Sequence, residues 1–420
     1  MVEGKFKETN IGCIPENWET VPLTDIVTHY VDNRGKTAPT TESGIPLIAT
    51  NCIKEQGLYP TYERLRFVSK ETHETWFRDH PKPDDIIIVN KGTPGLVCLV
   101  PNPADFCIAQ DMIAIRADKS KVYYKYLFAY MRTENFKYQV QNLNVGTTIP
   151  HLKKTVFSNL IIPLPSVEEQ IFIGNLYYEI SKKFELNQKI NQTLEALGQA
   201  IFIQWFIDFE FPDEKGQSYK SSGGEMIDSK LGEIPNGWEV KKLGEICDIK
   251  MGQSPKSEFY NENGEGLPFY QGVTNFGERF PKDKMYCTVK NKVAEKGDIL
   301  FSVRAPVGRI NIANTKMIIG RGICAIKHKN SLQSFLLYQL KNIFTKEDSI
   351  GSGTVFNAIT RKDLDELLVL VPNININKKF DSLTGSIDKE IENLTLQNNN
   401  LSQIRDSILP KLMSGKIRVN

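Results

Sequence analysis

Residues 12–26 read GCIPENWETVPLTDI, and residues 232–246 read GEIPNGWEVKKLGEI. Gly12, Ile14, Pro15, Trp18, Glu19, Leu23 and Ile26 return as Gly232, Ile234, Pro235, Trp238, Glu239, Leu243 and Ile246, always 220 positions on. Solenoid units run only about 20–50 residues, so this period marks a whole domain written twice. Two similar surfaces on one chain suit a ligand with two similar halves.

The far end of each copy matches as well. GTTIPHLKKTVFSNLIIPLP at 146–165 aligns with GTVFNAITRKDLDELLVLVP at 353–372, at an offset of 207. Between the ends, Asp85-Ile86 and Gly95 align with Asp298-Ile299 and Gly308, at an offset of 213. Matching ends with drifting middles describe a shared scaffold that carries different contents. Short β-type runs at 45–50, 85–90, 96–100 and 112–116, and at 267–272, 298–303 and 309–313, precede helical stretches at 122–140 and 331–345. Each domain therefore reads as α+β, with a mostly antiparallel or mixed sheet.

Each copy is followed by a heptad pattern. Ile173, Ile180, Asn187, Leu194 and Ile201 are spaced by seven, with Leu176, Ile190 and Leu197 three residues after members of that series. Phe380, Ile387, Leu394, Leu401 and Ile408 repeat the spacing, with Leu383 and Ile404 as companions. Lys183, Gln204, Glu390 and Lys411 interrupt the companion positions. The pattern predicts a coiled coil, or else two amphipathic helices on separate domains. PDEKGQSYKSSGG at 212–224 reads as a flexible tether. Helices of about 38 residues are roughly 55–60 Å long. A tether of about 18 residues could return along such a rod only at full stretch. Antiparallel helices, with a domain at each end, are the expectation. The predicted order is a first domain at 1–165, helix at 166–210, linker at 211–228, second domain at 229–372 and helix at 373–415.

Composition is that of an ordinary globular protein, with 40% hydrophobic and 24% charged residues in a chain of 420. The first ten residues, MVEGKFKETN, lack a secretory pattern, and no run of 18 apolar residues is present. Seven cysteines, odd in number and without a CxxC pair, fit a reducing cytoplasm. Net charge is only +2, so any nucleic-acid surface has to be local. Cations gather in Gly-rich or polar segments: Arg34 and Lys36, Lys91 beside Thr93, Arg304, Arg309 and Arg321.

No catalytic constellation stands out. There is no GxxxxGK[ST], HExxH or GxSxG. Asn102-Pro103-Ala104-Asp105 matches only the first two positions of an amino-methyltransferase [DN]PP[YF] motif. Pro83-Asp84 is followed by Val89-Asn90-Lys91, which lacks the acid a (D/E)xK nuclease needs. The five histidines show no metal-ligand spacing. No catalytic residue and no metal site is expected in this chain.

Taken together, the paired G-x-I-P-x-x-W starts, the Gly-Thr segments at 146–152 and 353–359, the lead-in Pro165, Glu169, Gln170 and Ile173, and the closing LPKLMSGKIRV at 409–419 resemble a known family. It is the specificity subunit of type I restriction–modification systems, and the resemblance spans essentially the whole chain. The second helix departs from the lead-in, with Ile376 and Asn377 where the first has Glu169 and Gln170. The resemblance implies two target recognition domains, each reading half of a split double-stranded DNA site, and an antiparallel coiled coil as the ruler between them. It implies modification subunits that methylate adenine with S-adenosylmethionine, and restriction subunits that use ATP and Mg. No cofactor is expected in this chain.

Arg34, Lys36, Lys91, Thr93, Arg304, Arg309 and Arg321 are the candidate DNA contacts. Gly146, Thr147 and Thr148, with Gly353 and Thr354, either approach phosphates through backbone amides or merely turn the chain. The run from Ile201 to Ile207 is apolar on nearly every side, with an equivalent at Ile408–Met413. It makes Trp205, Phe206, Leu412 and Met413 candidates for docking modification subunits, unless they pack on the neighbouring domain. The competing class is a coiled-coil adaptor with protein-binding or glycan-binding end domains.

Overall fold

The computed structural model describes residues 5–32, 35–144, 150–349 and 358–418, with side chains described except at 345–349. The chain divides into two compact units. The first is residues 1–190 with 394–420, and the second is residues 191–393. Each holds one copy of the repeated domain and one end of each of two 40-residue helices, Val167–Phe206 and Ile374–Met413.

In the first unit, Phe6–Thr9 pairs with Gly12–Pro15, and Glu19–Pro22 pairs with Ile161–Leu164. A four-stranded antiparallel sheet follows in the order Val27–Asp32, Met112–Ala117, Ile86–Val89, Val97–Leu99. A smaller sheet sets Ile45–Ile48 between Arg66–Val68 and Cys107–Ile108, the latter pair parallel. The second unit repeats this plan. Met226–Ser229 pairs with Gly232–Pro235, and Glu239–Lys242 with Leu368–Val371. Its four-stranded sheet runs Cys247–Met251, Ile323–His328, Ile299–Ser302, Ile310–Ile312, and its other sheet, of five short strands, also has a parallel pair, Leu267–Tyr270 with Met317–Ile319. Register follows the sequence offsets. Glu19 faces Leu164, and Glu239 faces Val371, which are 220 and 207 positions on.

Both sheets are covered on both faces, which explains their continuous apolar strands. Ile86 and Ile88 face a core with Tyr126, Leu127 and Phe136, while Ile87 and Val89 face Ile48, Ile53 and Phe106. Ile299 and Phe301 pack with Leu336 and Leu340, and Leu300 with Ile319 and Tyr270. Each central strand starts from a buried acid. Asp85 accepts from Lys82 N (2.8 Å) and takes both arms of Arg116 (2.8 and 2.9 Å). Asp298 accepts from Glu295 N (2.9 Å) but has no arginine partner among the described residues, and burial pushes its carboxyl up. The stretch expected as one helix at 122–140 is two, Tyr124–Met131 and Glu134–Leu143, because Thr133 caps the second through Phe136 N (3.3 Å).

The long helices run antiparallel within each unit. In the first, Ile173 and Tyr177 share a core with Leu412, while Asn187 Nδ2 donates to Gln397 Oε1 (2.7 Å) and Asn398 Oδ1 (2.8 Å). In the second, Phe202 and Phe206 meet Phe380 (ring centroids 6.1 and 4.9 Å). Each helix has its own cap. Ser166 and Glu169 form a reciprocal pair (3.3 Å each), and Asn373 Oδ1 accepts from Asn375 N (2.9 Å) where the second helix lacks that glutamate.

The companion series differs from expectation. Leu197, Leu383 and Ile404 are exposed, and the buried companions lie four residues after the first series, at Tyr177, Asn191, Gly198, Thr384, Ile391, Asn398 and Leu412. Several of these are polar, so a pattern of apolar residues does not reveal them. Buried asparagines in a helix seam fix register at some cost in stability. Replacing Asn187 and Asn398 together with Leu should raise the melting temperature by roughly 2–4 °C per kcal/mol gained. A melting curve that falls would show that the amide pair is net stabilising.

The segment expected as a tether is folded. Asp213 Oδ1 accepts from Lys215 N and Gln217 N (2.8 Å each), and Tyr219 stacks on Phe211 at 4.6 Å. The carboxylate turn and the ring pair supply the order that composition alone does not reveal.

Candidate nucleic-acid interface

In an antiparallel sheet, the end of one strand lies beside the start of its neighbour. In the first unit this brings the chain after Asp32, the chain after Val89 and the chain before Met112 to one sheet end. Asn90 N donates to Asp111 O (3.0 Å), Leu152 N to Asn90 O (2.8 Å) and Gly92 N to Pro150 O (3.0 Å), which ties the loops together. Lys91 and Thr93 are exposed there, and Lys36, which follows the first strand, is exposed as well. Lys91 Nζ is 4.0 Å from Asp111, a half-exposed pair of little strength. Gly95 closes the loop at φ +89°, where a Cβ would sit 3.1 Å from Val140 Cγ1.

The second unit builds the same end after Met251, after Ser302 and before Ile323. Val303 N donates to Gly322 O (3.0 Å), Ile359 N to Val303 O (2.9 Å), Gly322 N to Gln271 O (3.0 Å) and Arg321 N to Ser254 Oγ (3.2 Å). Ser302 Oγ donates to Pro306 O (2.7 Å) and accepts from Arg309 N (2.8 Å), setting the turn between Arg304 and Arg309. Arg304, Arg309 and Arg321 are all exposed. The structure thus brings Lys91 and Thr93 to one sheet end in the first unit, and Arg304, Arg309 and Arg321 to one in the second.

Arg304 occupies the place of Lys91, 213 positions on. Arg34, Gly146, Thr147, Thr148, Gly353 and Thr354 lie outside the described residues. Sequence reasoning, which followed cations in Gly-rich segments, missed Lys256, Gln253 and Gln271 at the second edge. All three are exposed. Their signal was the offset: Lys256 stands 220 positions after Lys36. Such an edge can hold phosphates with its cations and read base edges with Arg, Gln and Ser.

The candidate docking residues are placed differently from expectation. Phe206 is 1% exposed, and its ring lies 4.8 Å from Phe335 and 5.7 Å from Trp238. Leu412 and Met413 are buried in the first unit's core. Trp205 is half-buried against Phe380 at 5.9 Å. Each helix end seals a domain core, which is why it is apolar on more than one side. The exposed apolar residues of that run are Ile203 and Ile207.

Three of the four features that carry the resemblance meet in the first unit. Trp18 Nε1 donates to Glu169 Oε2 (3.2 Å), and Arg418 donates to Glu169 Oε1 (2.8 Å) and Asn17 Oδ1 (3.1 Å). A Cβ on Gly415 would overlap Pro15 Cγ.

The family description "type I restriction modification DNA specificity domain" matches the chain twice, at residues 15–196 and 235–401. A Methanocaldococcus jannaschii chain named for the MjaX type I restriction enzyme specificity subunit is 32% identical, over 99% of this chain and 97% of its own. The MjaIX specificity subunit of that organism is 28% identical with the same coverage. The crystal structure of a type I system S subunit from M. genitalium shares the fold at a TM-score of 0.59 and 19% identity, covering 97% of this chain and 98% of its own.

Proposed function

This chain belongs to the specificity subunits of type I restriction–modification systems, and from that premise we propose that its two sheet ends each read one half of an asymmetric, bipartite DNA site. One observation carries this reading. The same sheet end is built twice from the same pairings, yet it displays Lys91 and Thr93 in one unit and Arg304, Arg309 and Arg321 in the other. Equal scaffolds with unequal side chains suit two different half-sites.

The helix pair is the spacer and the scaffold for partners. The chain itself is non-catalytic in this reading. Modification subunits supply S-adenosylmethionine and methylate adenine, and restriction subunits supply ATP- and Mg-dependent translocation and cleavage. Their docking surface is the exposed apolar side chains of the first helix and its end, Leu197, Ile203 and Ile207 among them, beside half-buried Trp205. No helix among the described residues is long and apolar enough to cross a membrane. Seven free thiols, six of them buried, support a cytoplasmic location.

Mapping methylated adenines in DNA from cells that express this chain with its modification subunit tests the proposal. A single split motif with a fixed gap is expected, and methylation without sequence preference would overturn it. Replacing Arg304 and Arg321 with Ala should relax the second half-site, at about 1–3 kcal/mol for each base no longer read, and leave the first half-site intact. If either residue touches only phosphate, binding should weaken evenly across sequences, and the salt slope should drop by about 0.9 for each phosphate released. Competition binding by the assembled complex at two salt concentrations separates these outcomes.

A further inference from the structure

Residues 271–283 of the second unit join the reading edge to the helices. At one end, the Gln271 carbonyl accepts from Gly322 N at the edge (3.0 Å). At the other, the Arg279 side chain, 3% exposed, reaches both long helices. Its Nη1 donates to Glu195 Oε1 of the first helix (2.6 Å), and its Nη2 donates to Asp388 of the second. Lys341 Nζ completes Glu195 (2.8 Å), and Ser334 Oγ donates to Asp388. Burial by itself would push the Glu195 carboxyl up, but Arg279 and Lys341 hold it below its usual value.

The segment between these ends is stiff. Buried Asn311 donates to Gly277 O (3.0 Å) and accepts from Gly277 N (3.1 Å), and Ile312 N donates to Arg279 O (2.8 Å). The segment is thus fastened to the edge strand of the four-stranded sheet. A planar guanidinium can hold two carboxylates on different elements at once, which a lysine ammonium does less specifically.

We propose that Arg279 is a positioning residue that sets the angle of the second reading edge on the helix pair, and with it the half-site spacing the subunit accepts. The inference rests on the DNA-reading function proposed above. Its basis is attachment at two points. The apolar cluster of Phe202, Phe206, Phe335 and Phe380 fixes the base of the domain. Glu195 lies seven residues before Phe202, and Asp388 eight after Phe380, so the clamp sits about 10–12 Å along the helices. One attachment lets a domain rock, whereas two oppose rocking. A displacement of about 3.4 Å at the edge is one base-pair step. Lys296 also reaches the second helix, at Glu392 (2.6 Å), but its own side chain is exposed, so the pair adds little.

Among the described residues the first unit has no counterpart. Ser181 and Ser402 stand at the equivalent helix positions, 207 residues from Asp388 and Glu195. There the loop at 55–59 docks on the first helix by Leu58 N donating to Glu185 and by the Tyr59–Tyr178 hydroxyl pair (2.7 Å). The charged clamp belongs to the second domain.

The test uses the complex of this chain with its modification subunits. The wild-type site is mapped first, and duplexes carrying it are then made with the gap one base pair shorter, unchanged and one longer. Arg279→Met, and the neutral triple variant Arg279→Met, Glu195→Gln, Asp388→Asn, are compared with wild type by methylation rate and melting temperature. The triple variant leaves no uncompensated acid if the single one fails to fold. The expected result is that preference for the native gap falls by about tenfold, the scale of one mismatched pair, while selectivity within the first half-site stays as in wild type. Unchanged gap preference in both variants, or an equal loss on all three duplexes with a lower melting temperature, would overturn the proposal. A wild-type complex with no gap preference would overturn the DNA-reading function itself, and the clamp's role with it.

Discussion

Phe206→Ala is expected to unfold the second unit well before it affects any partner. The ring is 1% exposed and packs against Phe202, Phe335, Phe380 and Trp238 with centroids at 4.8–5.7 Å. Truncating a buried phenylalanine costs about 3–5 kcal/mol, the lost transfer energy plus the cavity left behind. For a unit of this size that is roughly a 10 °C drop in melting temperature. Trp205→Ala should cost less, because Trp205 is only half-buried. Assembly with modification subunits should then fail in the Phe206 variant because residues 191–393 have opened. Hydrogen exchange confined to that unit, with a matching shift of the melting curve, checks the claim. A Phe206→Ala chain that melts like wild type yet fails to co-purify with the modification subunit would restore the docking role suggested by sequence.

The sequence left Phe206 two readings, docking a partner or packing on the neighbouring domain, and its burial fits the second. Apolar residues around a whole helix turn show that more than one face is covered, but not by what. The duplication, by contrast, was legible residue by residue. Gly12 and Gly232 sit at equivalent hairpin positions, facing Thr9 and Ser229, and the strands around Ile86 and Ile299 read as buried because they are apolar without alternation. The heptad series through Ile173 and Phe380 was visible for the same reason. Its companions were not, because Asn191, Thr384 and Asn398 fill places where leucine was sought. The proposed reading edge was half legible. Exposed cations announce themselves, but Gln271 and Gln253 come to the edge only through long-range pairings. Arg279 was invisible, since its partners at 195 and 388 are distant in the chain.

The mirror of the Phe206 result concerns the chain end. A chain ending at Ile408 is expected to lose the fold of the first unit, although it removes no residue of the first domain's own repeat. The deleted stretch contributes Leu412 and Met413 to that unit's core, at 3% and 6% exposure. It also contributes Arg418, whose guanidinium covers the buried Glu169 carboxylate. Burying two such side chains is worth about 1.5–3 kcal/mol each. Exposing Glu169 without its charged partner adds to the loss. A sum near 5 kcal/mol equals the lower end of a domain's whole stability. Gly415→Val makes the same point with one residue. Its φ of +66° disfavours a branched side chain, and a Cβ there overlaps Pro15, so the closing turn cannot seat against the hairpin. In both variants amide exchange should rise across 5–144 and stay slow across 226–344. Slow exchange in the first unit of the shortened chain would show that its core closes without the last turn of the second helix, and that the apolar chain end serves something other than this fold.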